Sequence, residues 1–408
     1  MKLLVFAHTP PPHHGQSYMV KLMLDGFGGD CRKQKSPGGY GIECYHVNAR
    51  FSKSLEDIGE FQGTKIFLIL RYCLQAIWCR FRYGATHLYY VPAPGKAVAL
   101  YRDWLVMLLC RPFFKKIILH WHAAGLGRWL ETSAQIRSRA ITYRVFKPVD
   151  LSIVLSRYNF ADAEKLLSRH VRIVSNGIPD PCPDFAETVL PRRRARFAAR
   201  AKLSAGEACS PAETAAAGGD PEIIKVLFLA NGLREKGLFA AMRGVVAVNR
   251  ALAAGRRNLR MDLVFAGNFM TEEERDEFDR LLLEPEFASA VKTLGFVSGA
   301  EKSRVLREAD LFCFPTQYLG ENQPVSLIEA MAFGLPIVTT RWRSLPEMLP
   351  PNYPGLVNGQ DPDEIAAALL KMAGDGSSEH LREVFLSGFS TEQFLGGMAA
   401  AIHSLETP

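Results

Sequence analysis

Two glutamates on either side of a helix start are the residues of this sequence best suited to chemistry. The segment from Glu321 to Thr340 predicts a loop, a helix, a turn and a buried strand. Pro324 suits the first turn of that helix, and Gly334 suits the position just beyond its end. Glu321 precedes the first turn, and Glu329 follows about two turns later. Because free N–H groups at a helix start attract phosphate, this arrangement favours a nucleotide diphosphate.

A second phosphate-binding loop is predicted after the strand at 223–230. Loop 231–237 precedes a helix and contains Arg234 and Lys236. Lys and Arg at a helix start can hold two phosphates, although plain surface charge is the alternative for Arg234.

The first half of the chain contributes two more candidate sites at strand ends. Gly15 follows a Pro-rich loop after the strand at 2–7, where a glycine lets backbone approach a ligand. His120 and His122 end the strand at 117–121, at the sheet edge where α/β proteins bind ligands. A neutral imidazole there could hydrogen-bond a sugar hydroxyl. A Pro-rich turn and structural histidines are the alternatives.

Strands alternate with helices in both halves, which predicts two doubly wound α/β domains facing a cleft. The 408 residues suffice for two domains. Segment 184–221 is basic and then rich in Ala and Gly, so it is interpreted as a variable linker or insertion, partly disordered. The predicted parts are an N-terminal domain (1–183), this linker (184–221), a C-terminal domain (222–385) and a final helix (386–408) that crosses back to the first domain.

Composition excludes several classes of protein. Eight cysteines without a C-x-x-C pair argue against a structural zinc site and for a reducing compartment. The short apolar run at the start predicts a strand rather than a signal peptide. The sequence has no run of about 20 apolar residues that could span a bilayer, so a cytoplasmic protein is expected.

Charge is distributed unevenly along the chain. Residues 1–190 hold 25 Lys/Arg and 14 Asp/Glu, a net +11, whereas residues 191–408 hold 24 and 28, a net −4. The basic half suits anionic lipid or a phosphate-bearing acceptor, with a solvated basic surface as the alternative. The helix at 61–83 combines aromatic residues with Lys and Arg, and either rests on a membrane or packs in the core.

The segment GENQPVSLIEAMAFGLP resembles the signature of retaining GT-B glycosyltransferases, family 4 (glycosyl transferases group 1) in particular. The resemblance covers most of the chain and is most specific in this segment. It extends to His120-Trp-His122, which is similar to the family's H-x-H-G segment, and to Asn176-Gly177-Ile178, which is similar to its N-G-[IV] turn. The family usually has glycine where His14 stands, and arginine where Asn231 stands.

The resemblance implies roles for individual residues. Glu321, Lys236 and His122 would be catalytic, with Lys236 on the donor diphosphate and Glu321 and His122 beside the transferred sugar. Glu329 would bind the ribose hydroxyls, and backbone at Phe296 and Val297 would meet the base. The other implied donor-binding residues are Gly15, Asn231, Arg234, Gly267, Asn322, Gln323, Pro324 and Val325. His14, Asn176 and Gly177 would border the cleft.

The function implied is transfer of a sugar from a nucleotide-diphosphate donor to a glycan or lipid-linked acceptor, with retention, in cell-envelope polysaccharide or glycolipid synthesis. No metal or other cofactor is expected, because Lys236, Arg234, the Gly15 amide and the helix start would neutralise the leaving diphosphate. Nucleic acid is not an expected partner. A sugar-nucleotide epimerase or hydrolase of the same fold, and a catalytically silent partner protein, are the alternatives.

Overall fold

The chain forms two compact units. The computed structural model describes residues 1–11, 15–33, 39–50, 63–93, 95, 97–255, 257–374 and 378–406. Unit 1 comprises Met1–Gly177 and Thr391–Pro408, and unit 2 comprises Ile178–Ser390.

Unit 1 contains a six-stranded parallel sheet in the order β2-β1-β3-β4-β5-β6. Its strands are β1 (Lys2–Phe6), β2 (Glu43–Val47), β3 (His87–Tyr90), β4 (Lys116–Trp121), β5 (Val149–Val154) and β6 (Ser168–Ile173). Its helices are α1 (Gly15–Gly26), α2 (Gly63–Tyr83), α3 (Ala97–Cys110), α4 (Leu126–Thr132), α5 (Ile136–Phe146) and α6 (Phe160–Lys165). The central strands read as nearly continuous apolar runs because helices cover both faces of a parallel sheet.

Unit 2 contains a second six-stranded parallel sheet in the order β12-β11-β10-β7-β8-β9. Its strands are β7 (Ile223–Leu229), β8 (Arg260–Ala266), β9 (Val291–Gly295), β10 (Leu311–Phe314), β11 (Ile337–Thr340) and β12 (Leu356–Val357). Its helices are α7 (Leu190–Ser204), α8 (Pro211–Ala216), α9 (Leu238–Ala254), α10 (Glu272–Leu282), α11 (Pro285–Ala290), α12 (Gly299–Glu308), α13 (Val325–Ala332), α14 (Leu345–Met348), α15 (Pro362–Ala373) and α16 (Ser378–Gly388). The expected pair of α/β domains is confirmed.

The last helix, α17 (Thr391–His403), belongs to unit 1. It packs against α1, and a side chain added at Gly26 would meet Leu395 at 2.4 Å. The expected return of the C-terminal helix to the first domain is therefore present. The units divide after Gly177 and Ser390, rather than at 183 and 385.

Residues 184–221 are not a linker, contrary to the sequence interpretation. They form a π-helical turn (Phe185–Val189) followed by α7 and α8, and they belong to unit 2. Two arginines of α7 fold inward, because Arg196 and Arg200 form ion pairs with Asp310 at 2.9 and 2.7 Å. The basic run suggested a partly disordered segment because its acidic partner, Asp310, lies more than a hundred residues later in the sequence.

Within the residues that the structure describes, no helix combines the length and apolar character needed to cross a bilayer.

Candidate functional site

The candidate site of unit 2 lies where the strand order reverses. β7 and β10 are neighbours in the sheet, but the chain continues from β7 toward β9 on one side and from β10 toward β12 on the other. The loops leaving these two strands therefore diverge, and ligands of doubly wound sheets bind at such a point. Lys236 comes from the loop after β7, and Glu321 comes from the loop after β10.

These two loops are hydrogen-bonded to each other. The Gln360 side chain donates to the carbonyl oxygens of Glu235 and Pro315, both at 3.0 Å. The Gln317 N–H also donates to the Glu235 carbonyl, at 2.7 Å. The backbones that present Lys236 and Glu321 are therefore tied together from two sides.

Lys236 and Glu321 form an ion pair. The Lys236 Nζ lies 3.4 Å from Oε2 of Glu321. It also lies 5.4 Å from the centroid of the Tyr318 ring and 5.7 Å from that of Phe314, so two aromatic faces adjoin the ammonium group. Glu321 is buried, and its Oε2 accepts no hydrogen bond from the described groups. The contact with Lys236 is therefore an ion pair without hydrogen-bond geometry. The pair therefore leaves Glu321 with acceptor capacity for a further donor group.

The start of α13 follows directly on Glu321. Asn322 and Gln323 are buried, and the helix begins at Val325 after Pro324. The Ser344 hydroxyl contacts both the Asn322 carbonyl and Oδ1 of its side chain, the latter at 2.8 Å. Ser344 thus holds the turn that precedes the helix, and sequence reasoning did not single it out.

Glu329 is buried and paired with Lys302. The Lys302 ammonium group on α12 donates a short hydrogen bond to Oε1 of Glu329 on α13. Burial raises the pKa of Glu329 above its ordinary value, and the Lys302 charge opposes part of that rise. Sequence reasoning missed Lys302 because 27 residues separate it from Glu329 and no local spacing links them.

Arg234 turns toward α10 and not toward Glu321. Its guanidinium forms a short ion pair with Glu277, and its backbone N–H donates to Glu274 at 3.0 Å. The acidic face of α10 therefore anchors the loop that carries Lys236. The Thr271 hydroxyl accepts from the Glu274 N–H and caps the start of α10.

Two glycines of this region are explained by close backbone packing. Gly237 has φ 89°, and a Cβ there would lie 2.4 Å from the Pro315 carbonyl oxygen. A Cβ at Gly267 would lie 1.9 Å from the Ala230 carbonyl oxygen. Close packing explains a glycine at 267, directly after β8, and its predicted donor contact stays a prediction.

The other residues predicted to bind donor in unit 2 surround the same sheet edge. Asn231 directs its side-chain amide to the Met270 sulfur at 3.3 Å. Phe296 is exposed directly after β9, and Val297 beside it is buried. Their proposed contact with the base stays a prediction.

The predicted site residues of the first half lie in unit 1. His120 is buried in β4, and its Nδ1 is 2.6 Å from the Tyr89 hydroxyl. Burial, aided by neighbouring His122, places the pKa of His120 well below its ordinary value, so the ring is neutral. The ring centroids of His120 and His122 are 4.1 Å apart, which makes His120 the structural support of His122.

Gly15, Asn176 and Gly177 are the other described residues of unit 1 that were predicted to line the site, and their roles stay predictions. Gly15 is the first residue of α1, and a Cβ there would meet nothing within 4 Å. Asn176 is buried, and Gly177 ends the first stretch of unit 1. His14 lies outside the described residues.

Among the described residues, no group of three or more His, Cys, Asp or Glu side chains is placed to hold a metal ion. Metal independence stays a prediction.

A family model matches the part of the chain that holds this site, and two known proteins match shorter stretches of the chain. The family model described as glycosyl transferases group 1 matches residues 224–375. The amylovoran biosynthesis glycosyltransferase AmsK of Erwinia amylovora is 38% identical over 88 residues, 20% of this chain and 22% of that protein. The MMP alpha-(1->4)-mannosyltransferase of Mycolicibacterium hassiacum is 33% identical over 118 residues, 26% of this chain and 28% of that protein. These alignments span less than a third of either relative.

Solved structures match over nearly the whole chain. Sucrose-phosphate synthase of Thermosynechococcus elongatus has a TM-score of 0.65 and 16% identity, over 100% of this chain and 99% of that one. Anabaena Alr3699/HepE in complex with UDP has a TM-score of 0.62 and 13% identity, over 99% and 100%. The chain therefore has the two-unit α/β architecture of the GT-B fold, and residues 224–375, which include Lys236, Glu321 and Glu329, match the glycosyl transferases group 1 family.

Proposed function

We propose that this protein is a retaining glycosyltransferase that moves a sugar from a nucleotide-diphosphate sugar to an acceptor. The observation that carries the proposal is the 3.4 Å ion pair between Lys236 and Glu321 at the start of α13. It brings an ammonium group that could bind phosphate, a carboxylate and the free N–H groups of a helix start to one sheet edge. The family match over residues 224–375 and the UDP bound by the similar Anabaena protein support the donor class.

The chemistry is dominated by the leaving group. The bond between the sugar C1 and the diphosphate breaks, and negative charge grows on the diphosphate. A bond from C1 to an acceptor hydroxyl oxygen forms, and the hydroxyl proton passes to the departing diphosphate. Lys236 and the α13 N–H groups would stabilise that charge, and fixed donors of this kind supply much of the rate in such reactions. With Arg234 engaged by Glu277, we assign the main clamp to Lys236. This set of groups is the reason to expect no metal requirement.

The two carboxylates would contact different parts of the donor. Glu329, held by Lys302, would accept hydrogen bonds from the ribose hydroxyls. Glu321 would hold hydroxyls of the donor sugar, with its acceptor capacity only partly used by Lys236. His122 in unit 1 would contact the transferred sugar, supported by His120.

Two similar proteins support a proposal for the acceptor class. One sequence relative acts in amylovoran biosynthesis, and one similar fold is a lipopolysaccharide outer core galactosyltransferase. We propose a glycan or lipid-linked acceptor in cell-envelope polysaccharide or glycolipid synthesis, at the inner face of the membrane. The basic first half of the chain would provide peripheral contact with anionic lipid.

A thermal-shift screen of nucleotide sugars tests the donor. A ligand at 100 times its dissociation constant stabilises the folded protein by about 2.7 kcal/mol, which gives a measurable shift in Tm. The stabilising donor is then incubated with and without acceptor glycans. Transfer that needs acceptor supports the proposal, and NMR of the product bond should report the donor's anomeric configuration.

The alternatives give different results in the same assay. An epimerase or hydrolase would convert donor without any acceptor, whereas a silent partner protein would leave donor intact with every acceptor. Failure of every nucleotide sugar to shift Tm would overturn the donor assignment.

A further inference from the structure

The long helix α2 of unit 1 has an exposed apolar face. Phe67, Leu74 and Phe81 are 70, 68 and 68% exposed, and Leu70 and Trp78 are 40 and 51% exposed. Spacings of three and four residues place these five side chains on one side of the helix. They are called the α2 face below.

The opposite side of α2 is already committed to the core. Four apolar residues pack inside unit 1 at spacings of three and four: Ile69, Cys73, Ala76 and Cys79. A helix that is apolar on both sides is expected to be buried on both. The α2 face lies on the side of the helix away from that core, so a second surface is expected to cover it. A contiguous exposed apolar patch of this kind marks an interaction surface.

The α2 face continues onto the turn that follows α3. The Phe81 and Phe113 rings have centroids 5.9 Å apart, and the Arg80 side chain donates to the Phe113 carbonyl at 2.8 Å. The aromatic end of the face is thus fixed in position by two contacts.

The segment from α2 to the start of β4 is strongly basic. Residues 63–116 contain nine Lys or Arg and a single acidic residue, Asp103. Asp103 is fully buried and paired with Arg102 at 2.8 Å, so it adds no exposed negative charge. Arg71, Arg82 and Lys115 are exposed. Apolar side chains bordered by cations are the pattern of helices that lie in the headgroup region of a bilayer.

We propose that the α2 face docks this protein on an anionic lipid surface, with Phe67, Leu74 and Phe81 inserted among the lipids and Arg71 and Arg82 at the phosphate level. A second copy of the chain is a poorer occupant, because two faces with the same positive border would repel each other. The inference specifies the membrane contact of the proposed function, and it is tested without donor or acceptor.

The first experiment measures cosedimentation of the full-length protein with vesicles. Wild type should bind phosphatidylcholine vesicles that contain phosphatidylglycerol, and should bind pure phosphatidylcholine much less. Phe67→Ser/Phe81→Ser should weaken binding to the anionic vesicles by about tenfold or more, because two apolar side chains no longer leave water. Leu283→Ser, which changes a leucine of unit 2 that is 83% exposed, should bind like wild type.

Charge reversal provides a second variant that leaves the apolar residues unchanged. Arg71→Glu/Arg82→Glu should lower binding to anionic vesicles by about tenfold or more, and added salt should weaken wild-type binding. Arg257→Glu, at an exposed position of unit 2, is the matched control. Unchanged Tm in each variant shows that the fold is intact.

Two results would overturn the proposal. One is equal sedimentation of wild type and both double variants with anionic vesicles. The other is a lipid-free dimer in light scattering that Phe67→Ser/Phe81→Ser converts to monomer, which would assign the α2 face to a second copy. Neither result bears on sugar transfer to a water-soluble acceptor, so the transferase proposal is judged separately.

Discussion

At the scale of single residues, the candidate site consists of two cation–carboxylate pairs. Lys236 pairs with Glu321 before α13, and Lys302 pairs with Glu329 within it. The first pair lies where a diphosphate and sugar would meet, and the second joins α13 to α12. The two lysines therefore have separable effects, one on turnover and one on the pH dependence of donor binding.

Replacing Lys236 should mainly slow the reaction. Lys236→Ala removes the ammonium group that would stabilise the leaving diphosphate, so kcat should fall by about 100-fold. Steady-state kinetics with the donor found by thermal shift provide the measurement. Lys371→Ala, at an exposed lysine of α15, is the control and should keep the wild-type rate. A wild-type rate in Lys236→Ala would contradict the clamp.

Replacing Lys302 should change how donor binding depends on pH. Burial raises the pKa of Glu329, and Lys302 opposes that rise, so Lys302→Ala should raise it further. The ribose contact needs the ionised carboxylate, and donor affinity should therefore begin to fall at a higher pH in the variant than in wild type. Calorimetric titration of donor across acidic pH measures this midpoint. Identical pH profiles would remove Glu329 from the donor site.

Local sequence pattern predicts the two glutamates and their helix, because Pro324, Gly334 and the apolar run lie within a few residues of each other. The same pattern does not predict Lys302, Ser344 or the pairing of Arg234 with Glu277. Those partners lie 22 to 43 residues away, and only the order of strands in the sheet brings them together.

At the scale of elements, the fold of unit 2 depends on connections between distant segments. Asp310, directly before β10, forms ion pairs with Arg196 and Arg200 of α7. The loop after β7 passes so close to Pro315 that Gly237 has no room for a side chain. The first connection fixes one end of the sheet, and the second fixes the loop that carries Lys236.

Neutralising Asp310 should destabilise unit 2. Burial tends to raise the pKa of Asp310, but the Arg200 and Arg196 charges outweigh it and lower that pKa below its ordinary value of 3.8. The ionised carboxylate therefore stabilises the fold above that value, and this contribution is lost as pH falls through the lowered pKa. Asp310→Asn should lower the free energy of unfolding at neutral pH by about 3 kcal/mol, because two arginines lose their partner.

Denaturant unfolding of Asp310→Asn measures this loss, with Asp279→Asn at an exposed position of α10 as the control. The difference from wild type should shrink under acid conditions, where Asp310 is itself neutral. A difference that is the same at every pH would show that charge is not the cause.

A side chain at Gly237 should displace the loop that carries Lys236. Gly237→Ala places a Cβ 2.4 Å from the Pro315 carbonyl at φ 89°, which costs about 1–3 kcal/mol. Both Tm and kcat should fall. Gly255→Ala is the matched control, because its φ is −78° and its Cβ would lie 3.5 Å from the nearest carbonyl oxygen. Equal activity of the two variants would argue against the close approach.

At the scale of the whole molecule, the two units differ in how the chain builds them. Unit 2 is one continuous stretch, whereas unit 1 is assembled from residues 1–177 and from α17. Sequence pattern anticipated the return of the last helix only through the family resemblance, because nothing in the composition of α17 specifies its partner. The positive charge of the first half and the α2 face both belong to unit 1.

Shortening a buried side chain of α17 should therefore loosen unit 1 alone. Met398 is fully buried, and Met398→Ala should cost about 3 kcal/mol through lost burial and a cavity. Hydrogen exchange followed by mass spectrometry should show faster exchange in α1 and in β1–β6, with β7–β12 unchanged. Faster exchange throughout both sheets would mean that the two units unfold together.

The divided origin of unit 1 has a consequence for its biosynthesis. A ribosome makes the whole of unit 2 before it makes α17, so unit 2 can reach its native state while unit 1 still lacks a helix. Until that helix emerges, the surface of α1 around Gly26 stays uncovered. Translation therefore begins unit 1 before unit 2 and completes it after unit 2.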